Sequence, residues 1–498
     1  MASSSRTERL RLRSRVEWWL VAVGLVVAAI ALVGLPGRAT FGARLSGDEP
    51  QYLLTAISLG DDLDLDVSDE IAERRYLPYH EVALDQQTMP LDASGRQVSP
   101  HDPLLPALLA PAMRLGGWAA AKAVLALIAG MTAALTAAVA HRRFHVPRRT
   151  AAVVTIAGFA GLPLAGYGTQ VYPEMTAALA TMVVVAGVTQ QRRLASGPVD
   201  VPRGAWLVMV VAAIVALPWL SVKYVPVAAV CGVAVLARLR HSPRRLVAVV
   251  GSLVASGVVY LALHRWWYGG WTVYAAGDHF ADTGEFGVVG TEVDLLGRSR
   301  RIVGLLVDRD FGIAAWSPIW FVLPLALAAA WARRREPGTA LLVAIVAAAW
   351  LNATFVALTM HGWWMPGRQL VIGLPVGVVS TARWVGAARG RLVTVAVLGS
   401  VGLCNWLWLA IEASTGRRTL IVDFFDTASW PYRALRPVLP AGLGGGGGGD
   451  ALLVGWAVLI AASVVVATHL SRGSVATDLV VYPAGYDVGR EDVPTNAP

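Results

Sequence analysis

Long apolar runs, separated by polar loops, extend along most of this chain. Twelve of the runs can cross the roughly 30 Å of bilayer hydrocarbon as helices. The pattern therefore predicts an all-α polytopic membrane protein, a bundle of about 12 transmembrane helices. The predicted spans lie near residues 17–36, 118–140, 149–166, 174–190, 204–219, 222–238, 245–264, 311–332, 338–359, 369–386, 391–411 and 451–470.

The loops between these runs alternate in length and in charge. Short loops rich in arginine follow Ala140 and occupy 191–193, 238–245, 333–335 and 383–391. Because lysine and arginine are enriched in cytoplasmic loops, we expect these loops and both termini to lie inside the cell. The longer, acidic loops would then face outward from the plasma membrane.

The order of the segments suggests one catalytic module with extensions. A basic N-terminus, 1–16, precedes an apolar run that is too long for a cleaved signal core, so we predict a retained signal anchor. The module would cover 17–411, with a long first outer loop at 37–117 that contains interfacial helices; its segment 99–112 is too short to span. An outer loop, 412–450, ends in a flexible glycine run. A last span, 451–470, precedes a disordered cytoplasmic tail, 471–498.

Composition agrees with a membrane protein and excludes several other classes. The chain is 56% hydrophobic and 15% charged, with a mean hydropathy of +0.56. Its net charge of +9 lies mainly in the short loops, so no nucleic-acid partner is expected. Cys231 and Cys404 lie inside apolar runs and are predicted to be free and buried. No internal repeat typical of an inverted-repeat transporter is found.

An acidic pair opens the first outer loop. Asp48 and Glu49 lie about a dozen residues after the first span, and the apolar positions Tyr52, Leu53 and Ile57 follow them at helical spacing. The pair would thus begin a short interfacial helix, where acids are electrostatically favourable. Capping is one explanation of the pair, and chemistry at the membrane surface is the other.

Further polar residues at predicted outer helix ends favour the chemical explanation. Individually, Lys223 and Arg368 could snorkel to headgroups, Trp363 could belong to an aromatic belt, and Glu174 could cap a helix. Their convergence on one face indicates a functional surface. Besides the acidic pair, the set comprises His101, Asp102, Tyr172, Glu174, Lys223, Tyr224, Arg309, Asp310, His361, Trp363 and Arg368.

Carboxylates beside isolated cations suit a transferase with a lipid-phosphate-linked donor. A carboxylate can take a proton from a hydroxyl, and cations at the lipid boundary can hold the departing phosphate. No phosphate loop and no paired zinc ligands such as HExxH occur. Asp62, Asp64 and Asp66 have DxD-like spacing, but the intervening leucines favour an amphipathic surface segment. No metal ligand or cofactor is assigned, and a divalent cation is left open.

These residues resemble the membrane-embedded GT-C glycosyltransferases that use polyprenyl-phosphate sugars, such as protein O-mannosyltransferases and lipid A aminoarabinose transferases. Within that group the chain looks most like actinobacterial members. The likeness covers 45–375. It is carried by the acidic pair, by SPHDP at 99–103, YPE at 172–174, DRDFG at 308–312 and WWMPGR at 363–368.

The resemblance implies an outward-facing cavity, an inverting transfer and a first-loop aspartate as general base. Asp48 would be this base, with Glu49 supporting it or the acceptor. Donor phosphate would contact Lys223, Arg309 and Arg368, chosen by charge and placement. Donor or acceptor sugar would contact His101, Asp102, Tyr172, Glu174, His361 and Trp363. We expect the chain to lack the sizeable outer C-terminal domain of larger members, so loops would recognise the hydroxyl acceptor, and a glycan or a lipid is at least as expected an acceptor as a protein.

Two other classes of function fit part of the pattern. A transporter or flippase of a lipid-linked saccharide could use the same acids and cations as a translocation path. Such proteins usually place these groups near the bilayer midplane, whereas the predicted spans here are almost free of charge at their centres. A structural or assembly protein without an active site is the other alternative, and a polymerase of lipid-linked repeat units is a variant of the transferase.

Overall fold

The computed structural model describes residues 17–190, 204–281, 284–285, 294–441 and 447–478. Within these residues the chain folds into helices joined by loops, and the only β-structure consists of isolated bridges. The prediction of an all-α fold is confirmed. The predicted N-terminal segment 1–16, the basic loop at 191–193 and the end of the tail, 479–498, lie outside the described residues.

The α-helices follow one another from the first span to the tail. In chain order they are α1 Trp18–Leu32, α2 Glu49–Asp61, α3 Ser68–Ala72, α4 Leu104–Phe144, α5 Arg148–Phe159, α6 Leu164–Tyr167, α7 Glu174–Val188, α8 Ala205–Leu220, α9 Val225–Leu239, α10 Pro243–Trp267, α11 Leu295–Ser299, α12 Arg301–Val307, α13 Ile313–Trp316, α14 Leu323–Ala332, α15 Thr339–Leu351, α16 Leu374–Gly386, α17 Arg389–Ser414, α18 Trp430–Leu435 and α19 Gly447–Asp478.

Each of the twelve predicted spans overlaps at least one of these helices. Among the described residues, six helical segments are long and apolar enough to cross a membrane: Leu104–Phe144, Val222–Leu239, Pro243–Trp267, Thr339–Val356, Gly390–Ser414 and Gly449–Ser471. Four shorter apolar helices accompany them, at Trp18–Leu32, Glu174–Val188, Ala205–Leu220 and Pro318–Ala332. The chain is therefore an all-helical polytopic membrane protein.

Several predicted spans are shorter than expected because they are broken at their polar ends. The span at 149–166 leaves the α-helix after Phe159, before Pro163, and the span at 311–332 becomes regular only at Leu323. The span at 369–386 begins its α-helix at Leu374, where Pro375 fits the first turn. Proline removes a backbone donor and disfavours helix in the residue before it. These breaks create the irregular backbone that carries the polar residues.

Helix α4 has two helical segments, and the first overlaps the segment at 99–112 that the sequence predicts to be interfacial. The helix begins at Leu104 and continues to Phe144, with a kink at Gly116 and Gly117. Gly117 has φ 62° and ψ −156°, a conformation that is essentially restricted to glycine. Helix α4 packs against α1, α2 and α7: Arg114 in its first part lies beside Gly60 of α2, and Gly130 in its second part lies beside Gly24 of α1. One kinked helix thus links the first outer loop to the bundle.

Two further boundaries differ from the prediction. Helix α19 includes the last three residues of the predicted glycine linker and continues to Asp478, eight residues past the predicted end of the last span.

In the outer loops, a bridge between Thr88 and Gly277 joins the first long loop to the second. The backbone N–H of Asp278 donates to the carbonyl of Gln87 (3.2 Å) beside it. These contacts connect the two loops at the site described next.

Candidate functional site

A cavity of about 380 Å³ lies between the two long outer loops and the ends of several helices. Five of the predicted site residues line it: Asp48, His101, Asp102, Lys223 and Arg368. The first outer loop and the start of α2 supply three of them. The short 3₁₀ turns at Val222–Tyr224 and Arg368–Leu370 supply the two cations.

Asp48 is the N-cap residue of α2 and meets three polar side chains. Its Oδ2 accepts a hydrogen bond from Arg368 Nη2 (2.7 Å) and lies 3.7 Å from Nε2 of His101. Its Oδ1 accepts from Gln87 Nε2 at 3.4 Å. About a quarter of the Asp48 side chain, 23%, is exposed, so the carboxylate is held in place and also open to the cavity.

The charge state of Asp48 follows from these contacts. Burial by itself would raise the pKa of the Asp48 carboxyl, but the charge of Arg368 and the contact with His101 outweigh it and hold the pKa well below its usual range. Asp48 is therefore ionised at neutral pH and can accept a proton.

Arg368 connects Asp48 to a second acid. Its Nε donates to Oε1 of Glu174 (2.9 Å), and Nζ of Lys223 donates to the same oxygen (2.6 Å). The guanidinium lies over the ring of Tyr172, 3.8 Å from its centroid. Two carboxylates and two cations thus form one hydrogen-bonded network. The guanidinium of Arg368, with several donors in one plane, contacts both acids.

Glu174 and Tyr172 form the buried side of this network. Glu174 is fully buried, and Tyr172 is 1% exposed. One oxygen of Glu174, Oε2, has no hydrogen-bond partner among the described residues. Both side chains thus hold the cations in place and do not line the cavity.

Glu49 faces away from the cavity, although it is the neighbour of Asp48. Its Oε1 accepts from the backbone N–H of Val171 (2.7 Å), and its Oε2 accepts from the N–H of Ser46 (3.2 Å). Burial raises the pKa of Glu49, against the opposing effect of the nearby Lys122 ammonium. This carboxylate fastens the start of α2 to the loop before α7.

Asp102 borders the cavity, but its carboxylate already has partners. It accepts from the backbone N–H of Val222 (3.0 Å) and from the hydroxyl of Tyr260 (2.9 Å), and it lies 3.0 Å from Nε2 of His264. It therefore joins the first outer loop to the starts and ends of three spans. The neighbouring His101 keeps Nε2 on the Asp48 side, because its Nδ1 contacts Ser99 Oγ at 2.7 Å.

Arg309, His361 and Trp363 do not line the cavity. Arg309 lies 3.6 Å from Asp310 with a side chain that is 40% exposed. The ring of His361 packs against Phe311, with centroids 4.8 Å apart. Trp363 is 61% exposed. The motif DRDFG thus forms a separate polar cluster, and only two of the three predicted phosphate cations come together.

Several residues that line the cavity could not be predicted from the sequence. The second outer loop contributes Thr272, Tyr274 and His279, while Asn352 comes from the end of α15 and Gln369 from the 3₁₀ turn that carries Arg368. They are common polar residues within loops or at helix ends, and only the fold places them together. Gln87 could have been suspected only from the length and polarity of the first loop.

The DxD-like aspartates do not form a metal site with each other. Asp64 Oδ1 accepts from Ser58 Oγ, and Asp66 Oδ1 accepts from the backbone N–H of Gln97. Among the described residues, one group of acids has side-chain oxygens close enough for a cation, and it lies outside the cavity, at Asp62, Asp69 and Glu70.

Two solved structures resemble the chain. The crystal structure of ArnT from Cupriavidus metallidurans bound to undecaprenyl phosphate has 14% sequence identity, with a TM-score of 0.49, over 94% of this chain and 80% of that chain. The apo state of the same protein has 14% identity and a TM-score of 0.45, over 96% and 80%. No protein-family model and no curated protein matches the sequence. Since both TM-scores lie below 0.5, the function of this chain is argued from its own residues.

Proposed function

We propose that this protein is an inverting membrane glycosyltransferase with a polyprenyl-phosphate sugar as its donor. Its acceptor would be a hydroxyl of an extracytoplasmic glycan, lipid or protein. One observation carries the proposal. The Asp48 carboxylate opens into the cavity and pairs with the guanidinium of Arg368. The same guanidinium pairs with the buried Glu174, which also pairs with Lys223. A proton acceptor and two cations are thus adjacent, as a displacement with a phosphate leaving group requires.

The rim of the cavity suits a donor with a long apolar chain. Val356 and Leu358 line the cavity and are 37% and 50% exposed. They follow directly after α15, one of the apolar spans, so a lipid could pass from the bilayer along this edge. A phosphate at the end of such a lipid would then lie near Arg368 and Lys223.

Donor binding would change the role of Arg368. A lipid phosphate competes with Asp48 and Glu174 for the guanidinium and for Lys223. If Arg368 turns toward the phosphate, Asp48 loses the charge that lowers its pKa and becomes a stronger base. The arginine would thereby couple donor binding to activation of Asp48.

The chemical step is a single in-line displacement at the anomeric carbon. The acceptor oxygen forms the new bond to this carbon while the bond from carbon to phosphate oxygen breaks. Asp48 takes the acceptor proton, and the phosphate leaves on its lipid with its charge held by Arg368 and Lys223. Attack from the face opposite the phosphate inverts the configuration.

A transfer assay with Asp48→Asn tests the proposal. The purified protein, in membranes with radiolabelled polyprenyl-phosphate mannose or arabinose and a cell-envelope extract, should move label to the acceptor. The variant should lose about 10²-fold or more of the rate, because it loses the general base. Asp92→Asn changes an exposed acid of the same loop and should keep the rate.

Two results would contradict the proposal. The first is an unchanged rate in a folded Asp48→Asn variant. The second is label that crosses the bilayer while still attached to its lipid, without any transfer, which would identify a flippase.

A further inference from the structure

The acidic patch at 61–70, on the first outer loop, contains two kinds of acid. Asp61 pairs with Arg75 at 2.7 Å. Asp64 and Asp66 accept hydrogen bonds from within the loop. These three acids therefore stabilise the loop itself and are not available for another partner.

The remaining acids of the patch converge on one point. The side-chain oxygens of Asp62, Asp69 and Glu70 lie within 4.8 Å of one another. Asp62 and Asp69 are exposed, whereas Glu70 is 1% exposed. Both carboxylate oxygens of Glu70 lack a hydrogen-bond partner among the described residues. A buried carboxylate that faces two others is unfavourable unless a cation or a proton compensates it.

The backbone around these acids also favours a cation. Asp62 is the C-cap residue of α2, where the helix dipole is negative and the last carbonyls have no intrahelical donor. Asp69 and Glu70 come from the first turn of α3. The cluster therefore joins the end of α2 to the next helix, and a cation bound between the acids would relieve their mutual repulsion.

The chemistry of the ligands indicates a class of ion. All three are carboxylates, which suit hard cations. Three carboxylates within 4.8 Å of one another, one of them buried, suit the flexible all-oxygen coordination of Ca²⁺. Mg²⁺ demands near-ideal octahedral geometry and keeps several waters, so it suits such a site less well.

We propose that Asp62, Asp69 and Glu70 form a Ca²⁺ site that fixes the end of α2. Asp48 stands at the other end of the same helix, so the ion would hold in place the element that presents the base. The site is separate from the cavity, and its existence does not depend on the transfer reaction.

Thermal unfolding of the full-length protein in lipid nanodiscs tests the site. After treatment with a chelator, CaCl₂ up to about 10 mM should raise the unfolding midpoint by about 2 °C or more, because the ion binds only the folded state. The double variant Asp62→Asn/Asp69→Asn changes only exposed side chains and should lose this rise. Glu70→Gln should lose it too. Glu73→Gln removes an exposed acid beside the cluster and should keep it.

Equilibrium dialysis with ⁴⁵Ca²⁺ provides a direct readout. We expect one ion per wild-type chain and per Glu73→Gln chain, with affinity at least about tenfold weaker in the double variant. The proposal is overturned if wild-type protein shows neither binding nor a rise in midpoint, or if the double variant responds like wild type. None of these measurements involves a sugar donor, so they stand apart from the test of the proposed transferase.

Discussion

At the scale of single residues, Arg368 has the largest number of roles. It bridges Asp48 and Glu174, covers Tyr172 and is 6% exposed. Its removal would leave the two acids with Lys223 as their only cationic partner in this chain of contacts. An uncompensated buried charge is among the most destabilising changes that one substitution can make.

We therefore predict that Arg368→Met lowers the free energy of unfolding by about 3 kcal/mol or more. The double variant Arg368→Met/Glu174→Gln should recover part of the loss, because it again balances one acid, Asp48, against Lys223. Unfolding of both variants in mixed micelles would measure the difference. Arg309→Met removes a 40% exposed cation and should change stability by no more than about 0.5 kcal/mol. A double variant less stable than the single one would contradict this account.

At the scale of elements, the kink in α4 decides where the first outer loop meets the bundle. A Cβ atom built on Gly117 would have no described atom within 4 Å, so space permits a side chain there. The backbone conformation at φ 62° and ψ −156° does not permit one without strain. The kink is therefore a property of the backbone at this residue and not of crowding around it.

We predict that Gly117→Ala destabilises the protein by about 1–3 kcal/mol or straightens α4. The matched control is Gly251→Ala in α10, which likewise has no described atom near the added Cβ but lies within a regular helix. Alanine there should leave stability unchanged or raise it by up to about 1 kcal/mol. The unfolding midpoints of the two variants give the comparison. Equal changes in midpoint would show that the backbone conformation at residue 117 does not require glycine.

Elements were more predictable from the sequence than their contacts. Span length and loop charge are local features, so the helices could be placed from the sequence with errors mainly at proline breaks. The roles of Asp48 and Glu49 could not be separated, because neighbours at the start of a helix point about 100° apart. Arg309 and Arg368 likewise both lie within outer-loop motifs, and only tertiary packing brings one of them, Arg368, to Asp48. The sequence predicted a polar outer surface, and the fold divides that surface into a cavity and a second cluster.

At the scale of the whole molecule, both proposals depend on which side of the membrane the first outer loop faces. Loops rich in arginine lie at one end of the predicted spans, and the cavity and the acidic patch belong to loops at the other end. The positive-inside rule then predicts that the cavity faces outward. Extracellular Ca²⁺ is abundant enough to fill sites that bind in the range of about 10⁻⁴–10⁻³ M, so an outward orientation would also suit the proposed ion site.

Cysteine labelling in intact cells would measure the orientation. Ala93→Cys places an exposed thiol in the first outer loop, and His241→Cys places one in a basic loop. A membrane-impermeant maleimide should label the first variant in intact cells, and the second only after permeabilisation. Wild type sets the background, because Cys231 is buried and Cys404 is half-buried. The opposite result would place the cavity in the cytoplasm, where Asp48 could not serve an outward-facing transfer.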